Sequence, residues 1–376
     1  MKLNRAKIPI NELLSSNKFI SFFISSIFFL FLSLVRSFCR ASGFVDGSIL
    51  VVSLHRLGDT VFTIPAVREV QKHFGKKINI VCFPESVPIY ELVFDDVDFC
   101  VLQRNEFYLG GRIASRSAKR KLKTIRSKII FDITCSMVSA SLIFNLRAER
   151  IIGSNGYQFR SIYDEFVESR KKPQLMDIYL DAISPVINLS DRNELKKRPE
   201  IFNPNGRILI QPFAGWKEKE WNLKKFLSLA EKFKDDYPVS LIIQCAQIDK
   251  DVLEEIEKSN INIIQTTSVE ELIQRINECS LFIGNDSGPV NLANFLGKPT
   301  LTIYGSTNPD YTTTGADYQI YIQETLDCSA QKDEKFCIIG AATYKCSGIQ
   351  CMNLLTFDEV YDNVTPLIDK YCNKKN

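Results

Sequence analysis

From Ser48 to Gly305 short apolar runs alternate with helical stretches, and the alternation breaks off once and then starts again. Nothing else in the chain restricts its fold as much, because buried runs of strand length separated by helix-length segments build parallel sheets covered on both faces. The first series runs through SILVVSL, the loop HRLGD, a helical stretch from Thr60 to about Phe74, and the strand KINIVCF, which together make one βαβ unit. KIIFDITC and ERIIG extend that sheet to about Gly153. Residues 190–206, SDRNELKKRPEIFNPNG, are polar, contain two prolines and lack apolar periodicity, so they read as a linker. The series then restarts. RILIQPFAG is a strand and loop, WNLKKFLSLAEKFKDDY a helix, VSLIIQCA a strand and VEELIQRINEC a helix. LFIGND is a strand, PVNLANFLG a helix and PTLTIYG a strand.

The expected fold class is therefore α/β, with two Rossmann-like, doubly wound parallel-sheet domains over 47–190 and 200–356. Facing each other across a cleft, with ligand loops at the carboxyl ends of their strands, two such domains form the GT-B architecture. A last helix within 357–376 is expected to cross back onto the first domain. The length of 376 residues accommodates two domains of ordinary size. A balance of 47 Lys+Arg against 44 Asp+Glu is too even for a general polyanion binder, and 45% hydrophobic with 24% charged residues excludes wholesale disorder. Eleven cysteines dispersed along the chain form no dense disulfide framework, which points to a reducing compartment.

Ahead of the first domain, within 1–46, Phe19 to Val35 is an uncharged run of 17 residues, six of them Phe and four Ser. As a helix it spans roughly 25 Å, short of the ~30 Å hydrocarbon core. Ser21, Ser25, Ser26 and Ser33 share one arc of the wheel and leave a wide apolar face opposite, the pattern of a helix lying in the interface. Basic residues before the run and Ala41, Ser42 and Gly43 after it also suit a cleaved signal. For a true span, Lys2, Arg5, Lys7 and Lys18 would export the rest of the chain. An in-plane or re-entrant anchor at the cytoplasmic membrane face avoids that outcome and is the reading we carry forward.

Three loops carry chemistry. In LFIGNDSGPVNLANFLGKPTLTIYG a strand enters a short polar loop, and Gly288 and Pro289 open a helix whose missing proline N–H costs nothing at that position. The amides of Ser287 and Gly288, with the positive end of the helix dipole, make an anion site suited to a diphosphate. Asp286 beside it is suited to accepting hydrogen bonds from sugar hydroxyls, or to capping the helix. In QPFAGWKEKEWNLKKF, Lys217 and Lys219 lie between a strand end and a helix, within reach of a phosphate; Lys219 is the stronger candidate and Trp221 a packing residue. In VVSLHRLGDTVFTIPA, Gly58 lets the chain turn and Asp59 stands at the helix start, as a base for an attacking hydroxyl or as an N-cap.

Together these segments resemble glycosyltransferase family 9, the ADP-heptose:lipopolysaccharide heptosyltransferases and their relatives, over roughly residues 48–360. The stretch IRSKIIFDITCSMVSASLIFNLRAERIIG belongs to the same resemblance. It implies a GT-B fold, a nucleotide-sugar donor such as ADP-heptose in the second domain, an acceptor in the first, and inversion at the anomeric carbon. It further implies that Asp59 is the base, Lys219 a phosphate partner, Asp286 a donor-sugar contact, and Ser287 and Gly288 the phosphate amides. The chain departs from the family at Asn291, where histidine is common, at Ser53, where a basic residue is usual, and at Cys245, Ala246 and Gln247, where a glycine-rich turn often follows the strand. A single displacement over these groups calls for no metal or cofactor.

Residues 112–128 carry eight Arg or Lys and no acid, which is either a solvated helix face or, through residues such as Arg116 and Arg120, a surface for a phosphorylated acceptor or anionic lipid. Interleaved aromatics are missing, so nucleic acid is not expected. Asp96 and Asp98 form a D-x-D, but within a loop entering a strand. Cys328, Cys337, Cys346 and Cys351 lack the close C-x-x-C pair of a zinc site, and free or paired thiols are expected. A nicotinamide-dependent oxidoreductase is disfavoured because neither βα unit carries G-x-G-x-x-G. A membrane-tethered nucleotide-sugar binding protein without transferase activity is the alternative left open.

Overall fold

The computed structural model describes residues 30–40, 47–109, 111–125, 127–155, 160–168, 170, 174–189, 206–244, 250–330, 333–337, 346 and 348–373. Residues 19–29 of the apolar run, most of the 190–206 linker and Cys245–Gln247 lie outside them.

The first lobe is built from strands β1 (Ser48–Val52), β2 (Ile78–Cys82), β3 (Val97–Val101), β4 (Phe107–Tyr108), β5 (Ile113–Ala114), β6 (Ser127–Asp132), β7 (Arg150–Asn155) and β8 (Glu165–Glu168). Its helices are α1 (Leu57–Phe74), α2 (Val87–Glu91), α3 (Arg116–Lys123), α4 (Met137–Ile143) and α5 (Leu175–Ile183). The second lobe has strands β9 (Arg207–Gln211), β10 (Val239–Gln244), β11 (Asn262–Thr266), β12 (Cys279–Asn285), β13 (Thr300–Tyr304) and β14 (Gln319–Gln323). Its helices are α6 (Leu223–Phe233), α7 (Lys250–Lys258), α8 (Val269–Asn277), α9 (Gly288–Phe295), α10 (Gln350–Leu354) and α11 (Phe357–Tyr371).

The two large sheets repeat one topology: β3-β2-β1-β6-β7-β8 and β11-β10-β9-β12-β13-β14, every neighbour parallel. The strand order reverses between β1 and β6 in the first sheet and between β9 and β12 in the second. Ligands of such sheets bind where the order reverses, at the carboxyl ends of the strands. Those ends carry the loops before α1, before α6 and before α9.

Alternation along the strands divides the core into layers. Ile49 and Val51 face one core and Leu50 and Val52 another, as a parallel sheet buried on both faces requires. The Ile49 side holds α1, α2 and α5 and continues into α8 and α9 of the second lobe, so the two lobes share a packed boundary. The Leu50 side holds Leu32, the β4–β5 hairpin, α3 and α4. The outer core of the second lobe holds α6, α7, α10 and α11. Val360, Val364, Leu367 and Ile368 of α11 are buried there, packed with Trp221 and Phe226, and so the last helix lies on the second lobe instead of crossing to the first. Its apolar stripe is satisfied within its own lobe.

Residues 30–39 are helical. Among the described residues no helix is long and apolar enough to cross a membrane. Leu32 is buried, and the buried Arg36 guanidinium pairs with Asp164 and donates to the Ala148 and Glu149 carbonyls at 3.0 and 3.2 Å, which fastens this helix to the first lobe.

Candidate functional site

The loop after β1 is held on both sides. Ser53 N donates to the Val81 carbonyl at 2.9 Å, Leu54 N to Thr134 Oγ1 at 2.8 Å, and Thr134 Oγ1 to the Val52 carbonyl at 3.1 Å. This anchoring fixes the entry to α1. Arg56 is its N-cap and makes no side-chain cap bond, while Asp59 lies in the first turn. Asp59 is therefore not the N-cap, and no donor among the described residues reaches its half-buried carboxylate. Ser53, in the place of a basic residue, is fully buried and accepts from Tyr90 Oη at 2.6 Å, so it braces the fold and offers nothing to a ligand.

In the second lobe Asn285 ties two loops together. Its Oδ1 accepts from Trp221 N at 3.0 Å and its Nδ2 donates to the Pro212 carbonyl at 2.7 Å. The indole of Trp221 donates to the Leu355 carbonyl at 3.0 Å and is buried, a packing role. Between these anchors a short 3-10 turn, Lys217–Lys219, leaves Lys217 exposed and turns Lys219 inward. Lys219 Nζ forms an ion pair with Asp286 Oδ2, the two side chains 12% and 4% exposed, and stands 4.4 Å above the Trp216 ring. Ser287 caps α9 in extended geometry, its hydroxyl donating to Gln211 Oε1 at 3.1 Å. Its amide and that of Gly288 stand at the helix start, where α9 supplies no acceptor of its own.

The sequence reading gave Lys219 to phosphate and Asp286 to sugar hydroxyls; in the structure these two groups satisfy each other. An incoming diphosphate at the α9 start would compete with Asp286 for the ammonium, or share it.

The two helix starts abut. A Cβ added to Gly58 would lie 3.0 Å from Gly288 Cα, and one added to Gly288 would lie 2.8 Å from Leu57 Cδ2 and 3.3 Å from Gly58 N. A side chain at either position would press on the facing segment, so glycine favours this close approach. Gly58, next to Asp59, and Gly288, two places after Asp286, thus bring backbone from the two lobes into contact. Asn291 belongs to the same boundary: its Nδ2 is 3.3 Å from where a Gly58 Cβ would stand, and its buried Oδ1 has no hydrogen-bond partner among the described residues. Arg116 and Arg120 are exposed on α3, over the opposite face of the first sheet, and make no contact with Asp59 or Asp286 among the described residues.

His55 is a site residue that the sequence reading passed over, since one histidine in a loop carries no pattern. It is buried, its ring meets Tyr179 edge-on at 4.7 Å, and its Nε2 has no hydrogen-bond partner among the described residues. Burial lowers its pKa from 6.5 to about 4, against the opposing attraction of Asp59; Lys335, from the second lobe, pushes the same way as burial. The unfolded chain therefore binds the extra proton between these values and the folded one does not. Stability from this group is complete above pH 6.5 and is lost as pH falls toward 4, to an extent of about 3 kcal/mol. Melting temperatures of the protein should fall across that window, and those of His55→Gln should fall less steeply; parallel curves would reject the assignment.

Asp96 and Asp98 are exposed, near the amino end of β3 and away from the cleft loops, with Lys77 Nζ 3.8 and 2.8 Å from their carboxylates. Among the described residues no cluster of three or more His, Cys, Asp or Glu could hold a metal; Cys328, Cys346 and Cys351 carry free thiols, and Cys337 is buried.

The sequence profile of glycosyltransferase family 9 (heptosyltransferase) matches residues 116–339. Lipooligosaccharide heptosyltransferase 2 of Campylobacter jejuni subsp. jejuni serotype O:2 is 23% identical over 263 residues, covering 67% of this chain and 78% of that protein. Lipopolysaccharide heptosyltransferase 1 of Campylobacter coli is 47% identical over 125 residues, 31% of this chain and 36% of its own length. Among solved structures, E. coli heptosyltransferase WaaC with ADP superposes with a TM-score of 0.62 at 14% identity, over 86% of this chain and 99% of that one. A family 9 glycosyl transferase from Veillonella parvula gives 0.65 at 16% identity, over 86% and 98%. These likenesses establish the two-lobed fold.

Proposed function

The chain belongs to glycosyltransferase family 9, and from that premise we propose that it is an inverting transferase moving a heptose from a nucleotide-diphosphate donor to a lipopolysaccharide acceptor. The relatives named above are heptosyltransferases of lipopolysaccharide or lipooligosaccharide, and WaaC was solved with ADP, which favours ADP-heptose as donor. What supports the mechanism is the close approach of Gly58 to Gly288, from which we place the Asp59 carboxylate and the α9 anion site at one opening.

In this reading the acceptor oxygen attacks the anomeric carbon and its proton passes to Asp59. The bond from the anomeric carbon to the diphosphate breaks on the opposite side. The negative charge that collects on the diphosphate is met by Lys219, by the Ser287 and Gly288 amides and by the dipole of α9. Asp286 orients Lys219 and accepts from donor-sugar hydroxyls. The acceptor reaches the enzyme at the cytoplasmic face of the membrane; Arg116 and Arg120, on the opposite face of the first sheet from α1, are not assigned to its reacting end.

Thermal-shift measurements against ADP-, UDP-, GDP- and CMP-sugars test the donor. A ligand at about a hundred times its Kd stabilises by about 2.7 kcal/mol, so the matching donor should raise the melting temperature by several degrees. No shift with any of the four would remove the donor assignment, and transfer with retained anomeric configuration would remove the single displacement.

A further inference from the structure

We propose that the outer face of the first lobe, formed by residues 30–39, the β4–β5 hairpin, α3 and α4, seats the enzyme on a bilayer rich in anionic lipid. This deepens the reading above, in which the acceptor is held in a membrane, by naming the surface that meets it. The four segments belong together because Leu32, Phe107, Ala118 and Leu142 all pack into the core on the Leu50 side of the first sheet. They also adjoin at the surface: Ala114 N of the hairpin donates to Ser141 Oγ of α4 at 2.9 Å, and Cys39, Leu122 and Leu146 line one groove.

That face concentrates the apolar side chains a soluble surface would hide. Leu34 is 59% exposed, Phe38 83%, Tyr108 60%, Leu109 74% and Met137 42%; Leu30 and Phe31 add to them, and among the described residues only Leu92, Tyr321 and Leu354 of the exposed large hydrophobics lie elsewhere. Scattered exposed apolar residues need no explanation, but a gathering on one face marks an interaction site. The rotation of residues 30–39 is set by chemistry. Leu32 and Arg36, four apart, point inward, and Arg36 is held by Asp164. At 3.6 residues per turn Leu30, Leu34 and Phe38 then stand on the opposite side of the helix.

Charge names the partner. Arg112, Arg116, Arg120, Lys123 and Arg147 are exposed on the same face and lack ion-pair partners among the described residues, while the acids nearby are engaged: Glu106 by Lys121, Glu149 by Lys128 and Asp164 by Arg36. A groove of about 800 Å³ joins the two characters, lined by Leu122, Ile125 and Leu146 beside Lys123 and Arg147. Apolar insertion beside unpaired cations matches lipid tails beneath anionic headgroups.

Co-sedimentation of the full chain with vesicles tests this without donor or acceptor. Vesicles of phosphatidylcholine with phosphatidylglycerol should carry the protein down, and phosphatidylcholine alone should carry far less. Leu34→Ser with Phe38→Ser should weaken binding about tenfold or more, and Lys123→Glu with Arg147→Glu about thirtyfold, with donor-induced thermal shifts unchanged as evidence of folding. Undiminished binding by both double variants would overturn the proposal. So would binding abolished only by removal of residues 1–29, or a dimer that dissociates in the double variants while vesicle binding persists. A protein that binds vesicles as expected yet transfers no sugar would defeat the functional reading and leave this one standing.

Discussion

Asp59→Asn should lower sugar transfer by roughly 10²- to 10⁴-fold, the range over which a positioned general base contributes. Asparagine keeps the size and one acceptor oxygen but cannot take a proton. Donor binding, which depends on the second lobe, should be unaffected, so the thermal shift with nucleotide sugar should match that of the native chain. No donor among the described residues reaches the native carboxylate, so the variant breaks no hydrogen bond of the fold and its stability should be close to native. Turnover within a few-fold of native would remove Asp59 from the mechanism.

Lys219→Met should act on both stability and chemistry. It strips the partner from a carboxylate only 4% exposed, and an unpaired buried charge costs about 3 kcal/mol. It also removes a cation from the departing diphosphate, for which a fall of roughly 10²- to 10³-fold in turnover is expected. The double change Lys219→Met with Asp286→Asn separates the two effects. Stability should recover, because neither buried charge remains, while turnover stays low. Recovery of both would show that Lys219 serves only to neutralise Asp286.

The parts of this site legible in the sequence were those that a single strand–loop–helix passage encodes. Gly58 and Asp59 follow one strand end, Asp286 to Gly288 another, and local pattern was enough to place each on its loop. What pattern could not supply was contact between distant segments. The pairing of Lys219 with Asp286 spans 67 positions, and the meeting of Gly58 with Gly288 depends on how two lobes pack. His55 gains its character from burial against Tyr179, 124 positions away, which no loop motif reports. Short outer strands were missed for a related reason: β8 and β14 lie at sheet edges and are only partly buried, so EFVE and QIYIQ lack the continuous apolar runs of the central strands. The last helix was sent to the wrong lobe because its apolar stripe says that it packs, not against what.

Arg36 sets a limit on shortening the chain for expression. Cutting at residue 41 to discard the greasy leader would leave Asp164, 8% exposed and accepting from Ile151 N at 2.7 Å, without its cation, at about 3 kcal/mol or more. It would also uncover the seat of Leu32. Trimmed versions intended for crystals or assays should begin before residue 30, so that the first lobe is not loosened.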